Sequence, residues 1–482
     1  MEVSTENPNN KPTRDRLSEL PDLALAHILS HLLTTEAART SILSKRFNSL
    51  WNSVDSLRFS DEFTGNDGVV FISIVDTALG FYRRTCIREF ELNFDYDFMY
   101  RKSVDYWINF AIQKQVRSLH LNFRRIHGRR FGDVRYTLPE ILHTNANLEE
   151  LVICRCDFSK KLDISCSRLR MLSITQTRMN DELISRILGG CSALDTLELI
   201  DCTGFDKLKI DSTSLRVLRI VGKQPPNFWL LEEADCVLEI SGPYLVCLEV
   251  SGPLYKTKLR LFDVGRLVKA VMTFTIMPQK SDDTDLQLAT RLDYVATEIL
   301  ESLSRVKQLT VGGSIIKGLS SATYNLSSRF SERRSLTLCI PVIEWSHRGI
   351  ASLLNSSPKL ESLVIKLSYC SDTCVVEHAD VPPENYWKSS RTISRCPLQH
   401  LKIVKVVGFQ VSCQSMKPLF EFLEFLLTNS KALEKIVIHA SRYVTRASVD
   451  DAMKSLVILT PSRDAIVHFE PPHLWVDALS VY

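Results

Sequence analysis

The chain has 482 residues, more than one hydrophobic core usually organises, so several units or a repeat array are expected. Its 45% apolar and 24% charged content suits a folded globular protein, and 59 basic against 56 acidic residues leave +3, too near neutral to imply a polyanionic partner. No run of about eighteen apolar residues suggests a membrane span, and the opening residues hold no apolar core of a secretory signal, so the 13 cysteines are expected as reduced thiols.

Residues 1–15 are polar, carry Pro8 and Pro12, show no periodicity and are expected to be disordered. Three short helical patterns follow within residues 16–57. After Leu20-Pro21, where proline suits a helix start, Leu25, Ile28, Leu29 and Leu32 fall at i, i+3, i+4 and i+7. Thr34 and Thr35 are placed to cap a second helix, with Glu36 at its positive end. Ser44 is placed to cap a third, which repeats the stripe at Phe47, Leu50, Trp51 and Val54. Helices of roughly ten residues cannot bury all of these apolar groups among themselves, so the surplus points to a partner surface.

The wording of this stretch resembles an F-box. The matching residues are Leu20-Pro21-Asp22, Ile28-Leu29, Leu33, Ala38 to Phe47 and Leu50-Trp51, with Phe47 where the plant-type pattern usually has Trp. The resemblance implies docking on a Skp-type adaptor, which links such segments to a cullin–RING assembly. It assigns Leu20, Pro21, Ile28, Leu29, Leu33, Leu43, Phe47, Leu50 and Trp51 to that contact, shared between the helices' own packing and the adaptor.

Beyond residues 69–82, read as an apolar helix, the form apolar-x-x-apolar-x-apolar recurs. Ile87/Phe90/Leu92 and Val116/Leu119/Leu121 come first. The clearest copies centre on Leu151, Leu172, Leu197 and Leu218, spaced 21, 25 and 21 residues apart, within the leucine-rich-repeat range. Leu245/Leu248/Val250, Leu267/Ala270/Met272, Val306/Leu309/Val311, Leu360/Leu363/Ile365, Leu398/Leu401/Ile403 and Leu433/Ile436/Ile438 complete the set. Period two within each copy predicts a short strand with one buried face, and stacked parallel strands share a core that no single copy could form. The fold class expected is α/β: a three-helix F-box, then an irregular leucine-rich-repeat solenoid with strands on its concave face and helices and loops on its convex face. Alternate strand positions then line the open face: Glu150, Val152, Met171, Ser173, Thr196, Glu198, Val217, Arg219, Cys247 and Glu249. Cys156 and Cys202 each sit three residues after a strand's last apolar residue, the consensus slot for Asn or Cys.

Two stretches interrupt the array: 279–293, read as a polar loop leading into a helix over 294–303, and 370–395, a long loop with Pro382-Pro383. From Cys396 a strand, a helix over 416–427 and a second strand at Leu433 to Ile438 follow. This ending resembles the FBD domain of plant-type F-box/leucine-rich-repeat proteins, carried by Cys396, Leu401-Lys402, Gly408-Phe409, Phe425-Leu426-Leu427 and Leu433-Glu434-Lys435. Trp387 resembles its entry motif, although Ser390 stands where a proline is usual. The expected domains are thus a tail (1–15), F-box (16–57), repeat region with inserts (58–395), FBD cap (396–470) and tail (471–482).

Signatures of catalysis are missing: no GxGxxG, phosphate loop, HExxH or GxSxG. Cys370, Cys374 and His378 have metal-like spacing without a fourth ligand, and Cys154-x-Cys156 reads as one outward and one inward thiol. Arg124, Arg125, His127, Arg129 and Arg130 read as a solvated charge run rather than a nucleic-acid patch. No cofactor, metal, membrane or enzymatic activity is expected. The resemblances imply the substrate-recognition subunit of an SCF-type cullin–RING ubiquitin ligase, acting in the cytoplasm and/or nucleus on an unknown protein. The same sequence also suits a non-catalytic repeat scaffold or sequestering protein acting without ubiquitin transfer.

Overall fold

The computed structural model describes residues 16–17, 19–65, 67–124, 134–159, 164–222, 237–254, 258–276, 285–321, 332–341, 345–368, 386–389, 398–409, 417–440 and 466–470. The Cys370/Cys374/His378 group and residues 125–130 of the basic run lie outside them. The chain forms two compact units, Met1–Thr177 with Gly190–Ala193, and Arg178–Gly189 with Leu194–Tyr482. Among the described residues no helix is long and apolar enough to cross a membrane.

The first unit opens with α1 (Asp22–Leu29), α2 (Thr34–Arg39) and α3 (Lys45–Leu50), shorter than the sequence suggested because 3-10 turns at Thr40–Ile42 and Trp51–Ser53 take up the rest. Ser44 caps α3 as expected, its Oγ accepting from Phe47 N at 3.4 Å. Thr34 does not cap α2. The N-cap is Leu33, whose N–H donates to Glu36 Oε2 at 3.2 Å, while Thr34 Oγ1 accepts from Arg58 N at 2.9 Å and ties the helices to the first strand.

That strand is β1 (Ser56–Ser60). The chain continues through α4 (Gly68–Phe81), β2 (Glu89–Asp95), α5 (Arg101–Gln113), β3 (Ser118–Arg124), β4 (Tyr136–Thr137), α6 (Glu140–His143), β5 (Glu150–Cys154), β6 (Cys156–Asp157) and β7 (Met171–Thr175). β1, β2, β3, β5 and β7 pair in parallel, each to the next, and β4 pairs with β6. Leu57, Phe90, Leu119, Leu151 and Leu172 stand in register, as do Phe59, Leu92, Leu121, Ile153 and Ile174, and both rows are buried. Parallel strands need a crossover, and here α4 and α5 supply buried apolar faces, with Phe71 stacked on Phe94 at 4.6 Å and Trp107 edge-on to both. Trp107 Nε1 donates to Asp76 Oδ1 at 2.7 Å, so the ring is buried without stranding its polar atom.

The second unit begins with α7 (Asp181–Gly190). Its strands are β8 (Thr196–Ile200), β9 (Lys207–Lys209), β10 (Val217–Val221), β11 (Val237–Ser241), β12 (Cys247–Leu254), β13 (Lys258–Phe262), β14 (Lys269–Ile276), β15 (Gln308–Gly312), β16 (Ser335–Pro341), β17 (Ser362–Ser368), β18 (Ile403–Phe409), β19 (Lys435–Ala440) and β20 (Ile466–Glu470). Its later helices are α8 (Asp285–Ser302), α9 (Gly313–Ser321), α10 (His347–Asn355), α11 (Tyr386–Ser389) and α12 (Lys417–Asn429). β8, β10, β12 and β14 through β20 form one parallel ladder. A separate three-stranded sheet, β13-β11-β9, forms a second layer where only helices and loops were expected. Helix α8 lies on it, with Arg260 Nε 3.4 Å from Glu298 Oε1. Layers approach closely: a Cβ on Gly349 of α10 would stand 1.9 Å from the Ile316 carbonyl oxygen of α9, so only glycine fits there.

Several expectations move. Helix α8 starts at Asp285, inside the stretch read as loop. The Leu398/Leu401/Ile403 copy is three residues out of frame. Leu363 pairs with Val404, so the rung is Leu401/Val404/Val406, and Ile403 is only half-buried. Three rungs were not read at all: β1, β16 and β20. In β16 the first apolar slot is held by Arg333, 2% exposed, whose Nη1 donates to Ser356 Oγ at 2.9 Å and Ser357 Oγ at 3.3 Å. The strand–helix–strand predicted near the C-terminus is present as β18, α12 and β19, and the register across β17–β18 and β18–β19 runs on from the repeats.

Candidate docking surfaces

The stripes read from the sequence are the core of the helical module. Leu25, Leu29, Phe47, Leu50, Trp51 and Val54 are buried, and the turn carrying Trp51 packs against α1 and α2. Arg46 braces the arrangement from α3, donating to Leu20 O at 2.5 Å and Asp22 Oδ1 at 2.6 Å. Leu29, Phe47, Leu50 and Trp51, expected at the adaptor contact, are therefore interior. A stripe with the helix period is what the other helices and β1 cover.

Several large apolar residues of the module lie at its surface among charged and polar ones such as Asp22, His27, Arg39 and Lys45. Leu23 and Ile42 are each 86% exposed and Leu43 67%, with Leu17, Pro21 and Ile28 exposed as well, while Leu20 and Leu33 are half-buried. Pro21, Ile28 and Leu43 of the sequence-derived set thus face outward, joined by Leu17, Leu23 and Ile42, which the periodicity passed over. Their signal was legible: they are apolar residues that the stripe does not use.

The open sheet face of the first unit carries Glu150, Val152 and Met171, all half-buried. Ser173 is 4% exposed, so it does not line that face as expected: its short side chain, in register with Val152, sits below its larger neighbours. Ser118 Oγ donates to Glu150 Oε2 at 2.9 Å, and His120 Nε2 lies 3.4 Å from Glu150 Oε1. Arg58 Nε lies 3.2 Å from Glu89 Oε1 and 3.0 Å from Glu91 Oε2. Ligand atoms of Glu89, Glu91 and His120 lie within 4.8 Å of one another, but the Arg58 cation already meets both carboxylates. Arg58 went unread because β1 was not recognised as a rung; Glu91 and His120 sit at alternate positions of β2 and β3, rungs that were read but whose open-face residues were not singled out. Arg124 of the basic run pairs with Asp61 and, at 3.2 Å, with Asp95.

In the second unit the open face presents Thr196, Glu198, Val217, Arg219, Cys247 and Glu249 as half-buried groups. The register places Glu198, Arg219 and Glu249 side by side. Arg219 Nη1 lies 2.5 Å from Glu198 Oε1 and its Nε 3.5 Å from Glu249 Oε2, leaving a compact patch with one excess negative charge. Burial pushes the Cys247 thiol pKa up, and that of fully buried Cys156 well up, so neither is a thiolate nucleophile at neutral pH.

Parallel rungs with apolar rows inward, preceded by a helical module with apolar residues outward, define a leucine-rich-repeat protein carrying a docking module. The At1g61320/AtMIF1 LRR-domain model matches residues 82–469, most of the chain, and the F-box domain model matches residues 17–59. The chain belongs to the At1g61320/AtMIF1-type LRR family and is an F-box/LRR protein of plant type. It is similar to F-box/LRR-repeat protein At5g02910 of Arabidopsis thaliana, 25% identical over 464 residues covering 94% of this chain and 94% of the relative. F-box/LRR-repeat protein At3g03360 of the same plant is 26% identical over 456 residues, 90% and 86% of the two chains. F-box protein At5g03100, also from that plant, is 28% identical over 312 residues, 64% and 92%. The LRR model runs through β18 and β19, the stretch whose wording resembles an FBD domain.

Proposed function

We propose that the chain is the substrate-recognition subunit of an SCF-type cullin–RING ubiquitin ligase. The F-box binds a Skp-type adaptor and the open sheet faces bind the protein to be modified. One observation carries this reading: Leu17, Leu23, Ile28, Ile42 and Leu43 stand exposed on a module whose own core is already complete. Exposed apolar side chains in this number on one short F-box module support an interaction surface there. A receptor of this kind makes and breaks no bond. It raises the effective concentration of its target beside the charged conjugating enzyme, in the cytoplasm, the nucleus or both.

Surface substitution tests the reading better than truncation, because removing the helices would also strip the cover from β1. Leu23→Asp with Ile42→Asp is expected to abolish co-purification with a recombinant Skp-type adaptor while the circular dichroism spectrum is unchanged. Undiminished adaptor capture by that variant would overturn the assignment. Ubiquitination of captured protein in a reconstituted assembly, lost in the same variant, separates the ligase from a scaffold that only binds.

A further inference from the structure

A different pair of side chains, one in α1 and one in the turn that closes it, takes no part in the module's core. His27 and His31 are four residues apart and exposed, their rings edge-on at 4.8 Å and their Nε2 atoms 3.5 Å from each other. The backbone holds them there. Ser30 N donates to Ala26 O at 2.9 Å, His31 N donates to Ile28 O at 3.2 Å as the last turn tightens, and Ser30 Oγ donates to His27 O at 2.7 Å.

We propose that His27 and His31 form a bidentate site for a divalent transition-metal ion of the zinc class. Side chains at i and i+4 share one face of a helix, so the two imidazoles converge without rearrangement of the fold. Two zinc–nitrogen bonds of about 2.05 Å closing on atoms 3.5 Å apart meet at about 117°, near the tetrahedral angle. To bind the ion each neutral ring carries its proton on Nδ1, so that both Nε2 lone pairs face the metal; a proton on either Nε2 passes through solvent to Nδ1 of the same ring, and the pair's charge is unchanged. Imidazole suits zinc and its neighbours rather than calcium or magnesium, which take oxygen ligands. Two protein ligands leave the remaining positions to water or to a donor from a docked molecule. The metal site itself stands whether or not an adaptor binds.

The test is calorimetric titration of the full chain with zinc chloride under reducing conditions. His27→Gln with His31→Gln is expected to remove one binding event seen in the wild type, and His31→Gln alone to weaken it at least tenfold. Cys86→Ser, at an exposed thiol, leaves it intact. Zinc should raise the thermal midpoint of the wild type and not of the double variant, whose metal-free midpoint matches the wild type because both imidazoles are exposed. Superimposable isotherms for wild type and double variant, equal midpoint shifts, or loss of the event in Cys86→Ser would each overturn the proposal.

Discussion

The N-terminal helices and the strand ladders place their apolar residues by different rules. In the ladders every second side chain goes inward, and rows such as Leu197, Leu218 and Leu248 are almost wholly buried. In α1 to α3 most of the helix-period stripe is buried, yet Ile28 of that stripe remains outside together with Leu23, Ile42 and Leu43. A ladder can always add a rung to cover an apolar row, whereas three helices totalling twenty residues cannot wrap around one another. The ladder rows are covered by their own chain. The module leaves several apolar side chains in water.

That contrast breaks most sharply at Trp51. As a core residue, Trp51→Ala should destabilise the first unit by about 3–5 kcal/mol, read from urea unfolding, and any loss of adaptor binding would follow from unfolding. Leu248→Ala, its counterpart in the second unit, should cost about 2–5 kcal/mol by the same measurement. Leu23→Asp should reverse the pattern, shifting the unfolding midpoint by less than about 0.5 kcal/mol but weakening adaptor affinity at least tenfold in a pull-down titration.

A pH dependence sharpens the view of the second unit. His347 is 5% exposed among Trp345, Tyr386 and Trp387, and burial lowers its pKa below the ordinary value of 6.5, against a smaller opposing effect of its bond to the Trp345 backbone. Above 6.5 the ring is neutral folded and unfolded, and contributes no pH dependence. As pH falls below 6.5 the unfolded chain takes up a proton that the folded chain does not, so stability declines, by up to about 1.4 kcal/mol per pH unit, until the lower folded pKa is reached. Urea midpoints between pH 7.5 and 5 should show this slope, reduced in His347→Gln. The smallest effect on the stability of the second unit belongs to Arg219. Its ion pairs are half-exposed, so Arg219→Ala should change stability by no more than about 1 kcal/mol. A protein target captured through the Glu198–Arg219–Glu249 patch should nonetheless be lost from affinity purification.

Much of this was readable one residue at a time. The leucine triplets placed β2, β3, β5, β7, β8, β10, β12, β14, β15, β17 and β19, because period two and a fixed spacing are local properties. Rung β16 was missed because Arg333 occupies a slot the template reserves for an apolar residue, and its hydrogen bonds to Ser356, Ser357 and the Leu300 carbonyl oxygen make its burial tolerable. Rung β1 was missed because Val54, Leu57 and Phe59 continue directly from the helical stripe. The frame of β18 slipped because Leu398 and Leu401 are both buried, at the spacing the pattern demands, while the strand begins only at Ile403.

The docking surface shows the same division. Its residue types and neighbourhood were evident, but not that Leu29, Phe47, Leu50 and Trp51 take the share of the set that packs within the helices while Pro21, Ile28 and Leu43 stay exposed. The sequence by itself determined the repeat architecture, the presence of an F-box and the residues that share each helix or strand face. The tertiary structure alone decided which apolar residues stay in water, which layer β9, β11 and β13 form, and that His27 and His31 point at one spot. Periodicity depends only on neighbours along the chain, whereas burial depends on what distant segments bring against the face that periodicity creates.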